Sequence, residues 1–463
     1  MSVAAVVLAA GAASRFGGSK LIEPLGGRPI LMLVVEAARA AGLEPIVVVT
    51  PPTGELDAID LGDVRRVVNP TPQEGLSSSV RIGLRELEQD ADVEAAVILP
   101  GDQPRVRPEV IRRLVDASSA SSAPLLIAPQ YDSDQAPNPI LARRKAWRLA
   151  DDLVGDRGFG PLLSDRPDLV QRIRVEGANP DVDTRADLVG LQEEEWADRV
   201  RANRDQVNRV REVPDGADFY GPVTSLFRAD PDRTDEPVLE VLRGLARPGE
   251  TWLDVGAGAG RYALPLARIV REVIAIDPSS GMLAALREIA AEHEIVNVRT
   301  IEARWPMDPD AAPTGDVALI AHVGYDIEAI EPFVRSLEGA ARRLCVAVLM
   351  ERQPASMADA FWPPVHGEER VSLPALPEFV EFLRARGRDP QVVGEERAPR
   401  IFASRDELGG FLRRQLWIAD GGEKERRFHE ALDRLVEERD GGFGFVGQRA
   451  LPVGVVTWTS NGP

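Results

Sequence analysis

Two glycine-rich segments, each directly after a short apolar run, bring together residue types that handle phosphates and nucleotides. The first reads Leu8-Ala9-Ala10-Gly11-Ala12-Ala13-Ser14-Arg15-Phe16-Gly17-Gly18-Ser19-Lys20. Its small residues let backbone N–H groups come close to phosphate oxygens. Arg15 and Lys20 supply cations for the β- and γ-phosphates of a nucleoside triphosphate. The Gly-Lys-Ser/Thr ending of a Walker A loop is absent. The plain alternative is a glycine-rich turn with two solvated cations. A second feature argues against it: Pro100-Gly101-Asp102-Gln103-Pro104 closes a buried apolar run, the place where ligands sit in open α/β sheets. Asp102 is suited there to Mg²⁺, which favours few carboxylates plus substrate phosphates. Taken alone, Asp102 would read as a turn or helix cap.

The second segment is Leu253-Asp254-Val255-Gly256-Ala257-Gly258-Ala259-Gly260. Its G-x-G-x-G spacing differs from the G-x-G-x-x-G of a dinucleotide loop. Asp277 closes the next apolar run, and an acid there bonds ribose hydroxyls in such folds. Loop and acid together predict an adenosyl site. The alternative is a degenerate pocket that binds nothing. His322 follows a later apolar run, either as a general base or as a packed pocket histidine.

The elements that must position these residues alternate between strand and helix. Val3–Leu8, Pro45–Thr50, Val64–Val68, Ala95–Leu99 and Leu125–Ala128 read as strands, with helical spacing over Ile30–Ala41, after Gly75 and from Pro108. This predicts helices on a mostly parallel sheet. Near residues 191–230 the texture turns charged. Trp196, Val200, Val207 and Val210 share one face of an amphipathic connector helix, and Pro214-Asp215-Gly216 breaks the chain. The alternation restarts with strands at Thr251–Val255, Val273–Ile276, Val317–Ala321 and Leu344–Met350, then Gln391–Val393 and Val453–Trp458. The predicted domains are therefore 1–192 and 193–463, the second opening with the connector helix.

Size and charge bound the rest. A chain of 463 residues, 44% of them hydrophobic, fits two or three domains. A net charge of −19 argues against general nucleic-acid binding and favours small-molecule substrates. The single cysteine, Cys345, excludes an intrachain disulfide and reads as a buried, inert strand residue. No apolar run reaches membrane-spanning length, and the first residues lack signal-peptide character, so the expectation is a cytoplasmic protein without a membrane partner.

Residues 1–192 resemble the molybdenum-cofactor nucleotidyltransferase family. Five ordered motifs carry the resemblance: Leu8–Lys20; Asn69-Pro70 with Glu74-Gly75-Leu76-Ser77-Ser78-Ser79; Gly101–Pro104; Gly155-Asp156-Arg157-Gly158; and Asp181-Val182-Asp183-Thr184 with Asp187-Leu188. The resemblance implies transfer of a nucleotidyl group to the terminal phosphate of a molybdopterin-type cofactor, and a molybdoenzyme that receives the product. It places Leu8, Ala10, Gly11 and Lys20 at the nucleotide, Arg15 and Lys20 at the departing pyrophosphate, and Asp102 and Asp183 on Mg²⁺. Ser77 and Ser78 open a helix whose N–H groups would take the acceptor phosphate, a simple serine helix cap being the alternative. Ala9-Ala10-Gly11 resembles the cytidylyl branch, which implies CTP, with GTP as the alternative. Pro137-Asn138-Pro139 departs from that branch's Gly-His-Pro and bears on the acceptor.

Residues 215–463 resemble class I S-adenosylmethionine-dependent methyltransferases, through Asp254–Gly260, Asp277-Pro278-Ser279 with Met282, and Asp316–His322. This implies that Gly256 and Gly258 face the methionine part and Asp277 holds the ribose. Glu302-Ala303-Arg304-Trp305 would flank adenine, and a helix-rich insertion lies near Phe361–Arg386. Together the two resemblances imply two tandem Rossmann-like three-layer α/β/α domains, the second with a mostly parallel seven-stranded sheet. Two alternatives to a bifunctional enzyme stay open: a catalytic first domain with a non-catalytic adenosyl-binding module, or a methyltransferase behind an inactive first domain.

Overall fold

A computed structural model describes residues 2–11, 15–52, 54–120, 123–132, 136–214, 224 and 227–459. Ala12-Ala13-Ser14 of the first loop and Asp215-Gly216 of the chain break lie outside them. The chain forms two compact units, Met1–Leu191 and Gln192–Pro463.

The first unit is built on β1 (Ser2–Leu8), whose residues after Ser2 are all buried. A continuous apolar run of this kind suits a strand covered on both faces. Ala5 and Val7 pack toward α1 (Ile30–Ala40), while Ala4 and Val6 pack toward α2 (Leu76–Leu87). The other strands are β2 (Ile46–Thr50), β3 (Arg65–Val68), β4 (Val93–Pro100), β5 (Leu126–Tyr131), β6 (Ile140–Arg143) and β7 (Val170–Val175), with α3 (Pro108–Ser118) between β4 and β5. Their order is β3-β2-β1-β4-β6-β5-β7, and β6 alone runs antiparallel to its neighbours. The chain first winds outward from β1 through β2 and β3, then returns to the other side as β4. The carboxyl ends of β1 and β4 therefore flank a topological switch point, where such sheets bind ligands.

Gly75 shows why a glycine opens α2. Its φ is +89°, and a Cβ there would stand 2.5 Å from Asp156 Oδ1 and 2.5 Å from the Gly155 carbonyl carbon. Gly75→Ala is expected to destabilise the first unit by about 1–3 kcal/mol through overpacking and backbone strain. Denaturant unfolding followed by a probe in that unit checks this, and an unchanged midpoint would refute it.

Helix α4 spans Arg185–Val210 without interruption, longer than the expected connector. Within the second unit its residues Trp196 and Val200 are buried in the core, and Trp196 Nε1 donates to the Ile327 carbonyl at 2.8 Å. Arg199 Nη1 reaches Glu378 Oε1 at 2.5 Å. This charge-dense segment is thus a packed element.

The second sheet comprises β8 (Thr251–Val255), β9 (Glu272–Asp277), β10 (Val298–Glu302), β11 (Gly315–Ala321), β12 (Ala341–Met350), β13 (Gln391–Arg397) and β14 (Leu451–Trp458). Their order is β10-β9-β8-β11-β12-β14-β13, with β14 antiparallel to both neighbours and the rest parallel. Helices α5 (Pro237–Leu245), α6 (Ala263–Ala267) and α7 (Ser280–Glu292) cover one face; α8 (Ile330–Ala340) and α9 (Leu376–Ala385) cover the other. The switch point falls between β8 and β11. Cys345 is buried within β12, as expected.

The helix-rich insertion is larger than the sequence suggested. Ala358–Val365 and the segment from Phe402 to Phe445, with α10 (Arg405–Leu416) and α11 (Glu423–Leu435), join Val210 of α4 in a separate apolar cluster around Phe361, Trp362, Phe402 and Phe428. No helix among the described residues is long and apolar enough to cross a membrane.

Candidate active sites

In the first unit the loop after β1, the turn after β4 and the segment before α4 converge. The Val182 N–H donates to the Asp102 carbonyl at 2.9 Å and ties the last two together. Asp187 braces the approach: its carboxylate accepts from the backbone N–H groups of Asp183 at 3.1 Å and Thr184 at 2.7 Å. The result is a charge cluster of four residues drawn from three separate stretches of sequence. Lys20 Nζ donates to Asp102 Oδ2 at 2.6 Å and to Asp183 Oδ1 at 3.1 Å, while Arg15 Nη1 lies 3.4 Å from Asp183 Oδ2. Burial lowers the proton affinity of Lys20, but the charges and hydrogen bonds of Asp102 and Asp183 outweigh it and hold the ammonium above its ordinary pKa.

The cluster tests the metal expectation directly. One cation, the Lys20 ammonium, already sits between the Asp102 and Asp183 carboxylates. Two acids, both partly exposed, match the few carboxylates that Mg²⁺ takes beside phosphate oxygens and water. The residues therefore fit the ion.

Three further residues support the site, and the sequence assigned them no role. Asn179 Nδ2 donates to Gln103 Oε1 at 2.9 Å, and Gln103 Nε2 donates to Asp181 Oδ1 at 2.7 Å. Burial raises the pKa of Asp181, and the neighbouring Asp102 charge adds to it. Gln103 and Asp181 stood inside the quoted motifs; their pairing needed the fold.

The other expected nucleotide and acceptor residues differ in exposure. Leu8 is buried in the core, and its carbonyl accepts from the Gly101 N–H at 2.9 Å, which closes the turn. Ala10 is also buried, whereas Gly11 is exposed with open space around it. Ser77 and Ser78 are buried within α2. The Ser78 hydroxyl donates to the Gly75 carbonyl at 2.8 Å and accepts from Asn69 Nδ2 at 2.8 Å. Asp156 Oδ1 accepts from the Leu76 N–H at 3.2 Å, so a carboxylate already occupies part of the helix start. No serine side chain caps the helix either; Gly75 holds the cap position. The Ser78 hydroxyl and the Leu76 N–H are thus engaged within the protein, whereas the buried Ser77 hydroxyl has no partner among the described residues.

In the second unit, Asp277 at the end of β9 pins the glycine loop. Its Oδ2 accepts from the Gly258 N–H at 2.9 Å and its Oδ1 from the Ser279 N–H at 2.8 Å. The glycines divide the work. A Cβ on Gly256 would stand 2.3 Å from Val323 Cγ2, so that glycine makes room for the protein and not for a ligand. A Cβ on Gly260 would meet Leu264 at 2.8 Å. Gly258, at φ +54°, has open space where its side chain would be, the opening an adenosyl group requires. The loop fits that group through Gly258 and Asp277. Near the adenine-flanking segment, Arg304 is exposed and Trp305 is buried.

Asp254 lies beneath the loop. It is buried and bonded to the Ala263 backbone, so it supports the turn instead of facing a ligand. Burial, reinforced by the Asp277 charge, raises its pKa to about 7. Between the ordinary carboxylate value of about 4 and about 7, the folded chain keeps this proton and the unfolded chain has lost it. Stability therefore falls as pH rises through that window and levels off above it. Asp254→Asn is expected to flatten this slope in thermal melts across the same range; an unaltered slope would contradict the assignment.

His322 follows β11 with φ +58°, and both ring nitrogens are buried without a partner among the described residues. Burial, with the charges of Arg397 and Arg261, pushes its pKa down to about 3. The ring is neutral at neutral pH and a weak proton acceptor, which favours the packed-pocket reading over the general base.

Each of the two α/β units thus carries a glycine-rich loop at the switch point of its sheet. Residues 5–170 match the family described as MobA-like NTP transferase domain, and residues 253–344 match the family described as methyltransferase domain. The chain joins a nucleotidyltransferase domain to a methyltransferase domain. It is similar to the bifunctional protein GlmU of Rhizorhabdus wittichii, 27% identical over 277 residues, covering 49% of this chain and 58% of that protein. It is also similar to 3-deoxy-manno-octulosonate cytidylyltransferase of Rhodopseudomonas palustris, 28% identical over 142 residues, covering 30% of this chain and 58% of that protein. The crystal structure of Rv0371c from Mycobacterium tuberculosis aligns with a TM-score of 0.38 at 27% identity, over 41% of this chain and 97% of that one. The chain spans only 27% to 58% of the length of the GlmU proteins it matches.

Proposed function

We propose that the first domain transfers a cytidylyl group from CTP to the phosphate of a molybdopterin-type cofactor, and that the second is an S-adenosylmethionine-dependent methyltransferase of a small molecule. The observation that carries the first half is the convergence of Asp102 and Asp183 on Lys20 Nζ. An acceptor phosphate oxygen attacks the α-phosphorus, the bond to the bridging oxygen breaks, and pyrophosphate leaves with its electron pair. Lys20 and Arg15 neutralise the charge gathering on pyrophosphate; Asp102 and Asp183 would hold Mg²⁺, which would supply further neutralisation. The geometry asks for no covalent intermediate. CTP is favoured by Ala9-Ala10-Gly11 and by the cytidylyltransferase relative. The proposed partners are small-molecule substrates and a molybdoenzyme that takes the finished cofactor.

Pyrophosphate release with CTP or GTP, Mg²⁺ and a molybdopterin acceptor tests this reading. CTP-dependent release supports it. GTP-dependent release overturns the base assignment, and no release with either overturns the acceptor. Calorimetry with S-adenosylhomocysteine tests the second half, and absent binding would sink it.

A further inference from the structure

The carboxyl edge of the second sheet carries positive charge that its acids leave unanswered. Strand β13 is antiparallel to β14, which is antiparallel to β12. Arg397, the last residue of β13, pairs with Leu451, and Met350, the last of β12, pairs with Val453. Arg397 therefore shares the sheet edge with the ends of β11 and β12, where His322 and the glycine loop lie. Asp277 at this edge is spent on the glycine loop, and Glu236, whose charge reaches Arg397 and His322, is engaged by other groups. It takes Arg233 Nε at 2.6 Å, Arg261 Nη2 at 2.9 Å and the Tyr262 hydroxyl at 2.9 Å.

Arg397 and Arg400 are different. Neither side chain has an ion pair or hydrogen bond to another described residue, and both are partly buried. Arg400 lies 4.8 Å from the Phe402 ring centre and 5.4 Å from that of Phe411. Glu407, whose charge reaches Arg400, spends Oε2 on the Ala403 N–H at 3.0 Å. Burial weakens the proton affinity of both guanidinium groups; the Arg261 charge adds to this at each, and the Arg400 charge adds at Arg397. The fields of Arg397 and Arg261 extend to the unpartnered ring of His322. A chain with 74 acidic and 55 basic side chains has acids in surplus, yet Arg397, whose field reaches the orphaned imidazole, and Arg400, whose field reaches Arg397, have no carboxylate paired with them among the described residues. Leaving such groups desolvated and unanswered is costly unless a ligand answers them.

We propose that Arg397 and Arg400, with the ring of His322, form the recognition site for the acid group of the methyl acceptor, so that the second domain methylates a small carboxylate- or phosphate-bearing molecule. The guanidinium fork matches both groups in geometry and charge, and the −19 net charge disfavours a polymeric phosphate backbone. The inference rests on the proposed methyltransferase activity for its acceptor role, while the anion site itself can be tested apart.

The test is calorimetric titration of the full chain with inorganic phosphate and, separately, malonate, each with and without S-adenosylhomocysteine. A Lys20→Ala background removes the phosphate-binding cation of the first unit. At least one anion is expected to bind, and Arg397→Gln/Arg400→Gln to weaken it by about tenfold or more with S-adenosylhomocysteine affinity retained. Preference for phosphate assigns a phosphoryl acceptor, and preference for malonate a carboxylate. Equal affinity in parent and variant, or no saturable binding of either anion, overturns the proposal. Anion binding that depends on the arginines without any S-adenosylhomocysteine binding would leave the anion site standing and remove the methyltransferase reading. Should the double variant unfold, Arg400→Gln alone decides: phosphate or malonate is expected to raise the melting temperature of the parent but not of this variant. A purely structural Arg400 would instead lower the ligand-free melting temperature and leave the anion response intact.

Discussion

Asp102→Ala is expected to lower nucleotidyl transfer, read as pyrophosphate release, by about a hundred- to a thousandfold. The carboxylate at risk lies 2.6 Å from Lys20 Nζ at the end of β4. Asp183 would keep Lys20 but lose the partner with which it surrounds a cation. Asp181 cannot substitute, because Gln103 holds it at 2.7 Å. The loss should fall on turnover, since charge is neutralised most as pyrophosphate departs. Stability should change little at this partly exposed side chain. A drop below about threefold in a folded variant would show that the ion is held elsewhere.

The second large effect is expected at Asp277. Its two oxygens accept the Gly258 and Ser279 N–H groups at 2.9 and 2.8 Å, and thereby hold the open turn of the glycine loop against the end of β9. Asp277→Ala strands both donors at about 1–3 kcal/mol each. It also releases Gly258, the residue that leaves space for the ligand. S-adenosylhomocysteine affinity is expected to fall about a hundredfold, and the melting temperature to fall with it. Asp277→Asn keeps one acceptor and should lie between the two. Calorimetry on the three proteins checks the order; retention of full affinity in Asp277→Ala would exclude this acid from the adenosyl site.

Much of both sites was legible because glycine and charge occur together at the ends of apolar runs. Leu8–Lys20 with Asp102, and Asp254–Gly260 with Asp277, could be read as pairs. What the sequence could not convey was which glycines serve the protein and which serve a ligand. Gly256 looks like Gly258 until Val323 is placed against it. Ser78 likewise looks like an anion donor until Asn69 and the Gly75 carbonyl claim its hydroxyl. Strands β6 and β7 escaped notice for different reasons: Ile140–Arg143 is four residues long, and Val170–Val175 is polar and half exposed at a sheet edge. Arg397 had no local signal at all. Only the register of β13 on β14 brings it to the functional edge.

The order of the second sheet also shapes how this protein is made. Strand β14 lies between β12 and β13, both of which leave the ribosome before it. Until Leu451–Trp458 has emerged, β12 keeps an open edge of apolar backbone, and β13 has no neighbour to join. The first unit can close while synthesis continues, but this sheet must wait, with its unpaired edge exposed to other nascent chains. Slow translation through the insertion would lengthen that exposure, so soluble yield in the cell should depend on chaperone supply and elongation rate more than on the stability of the finished fold.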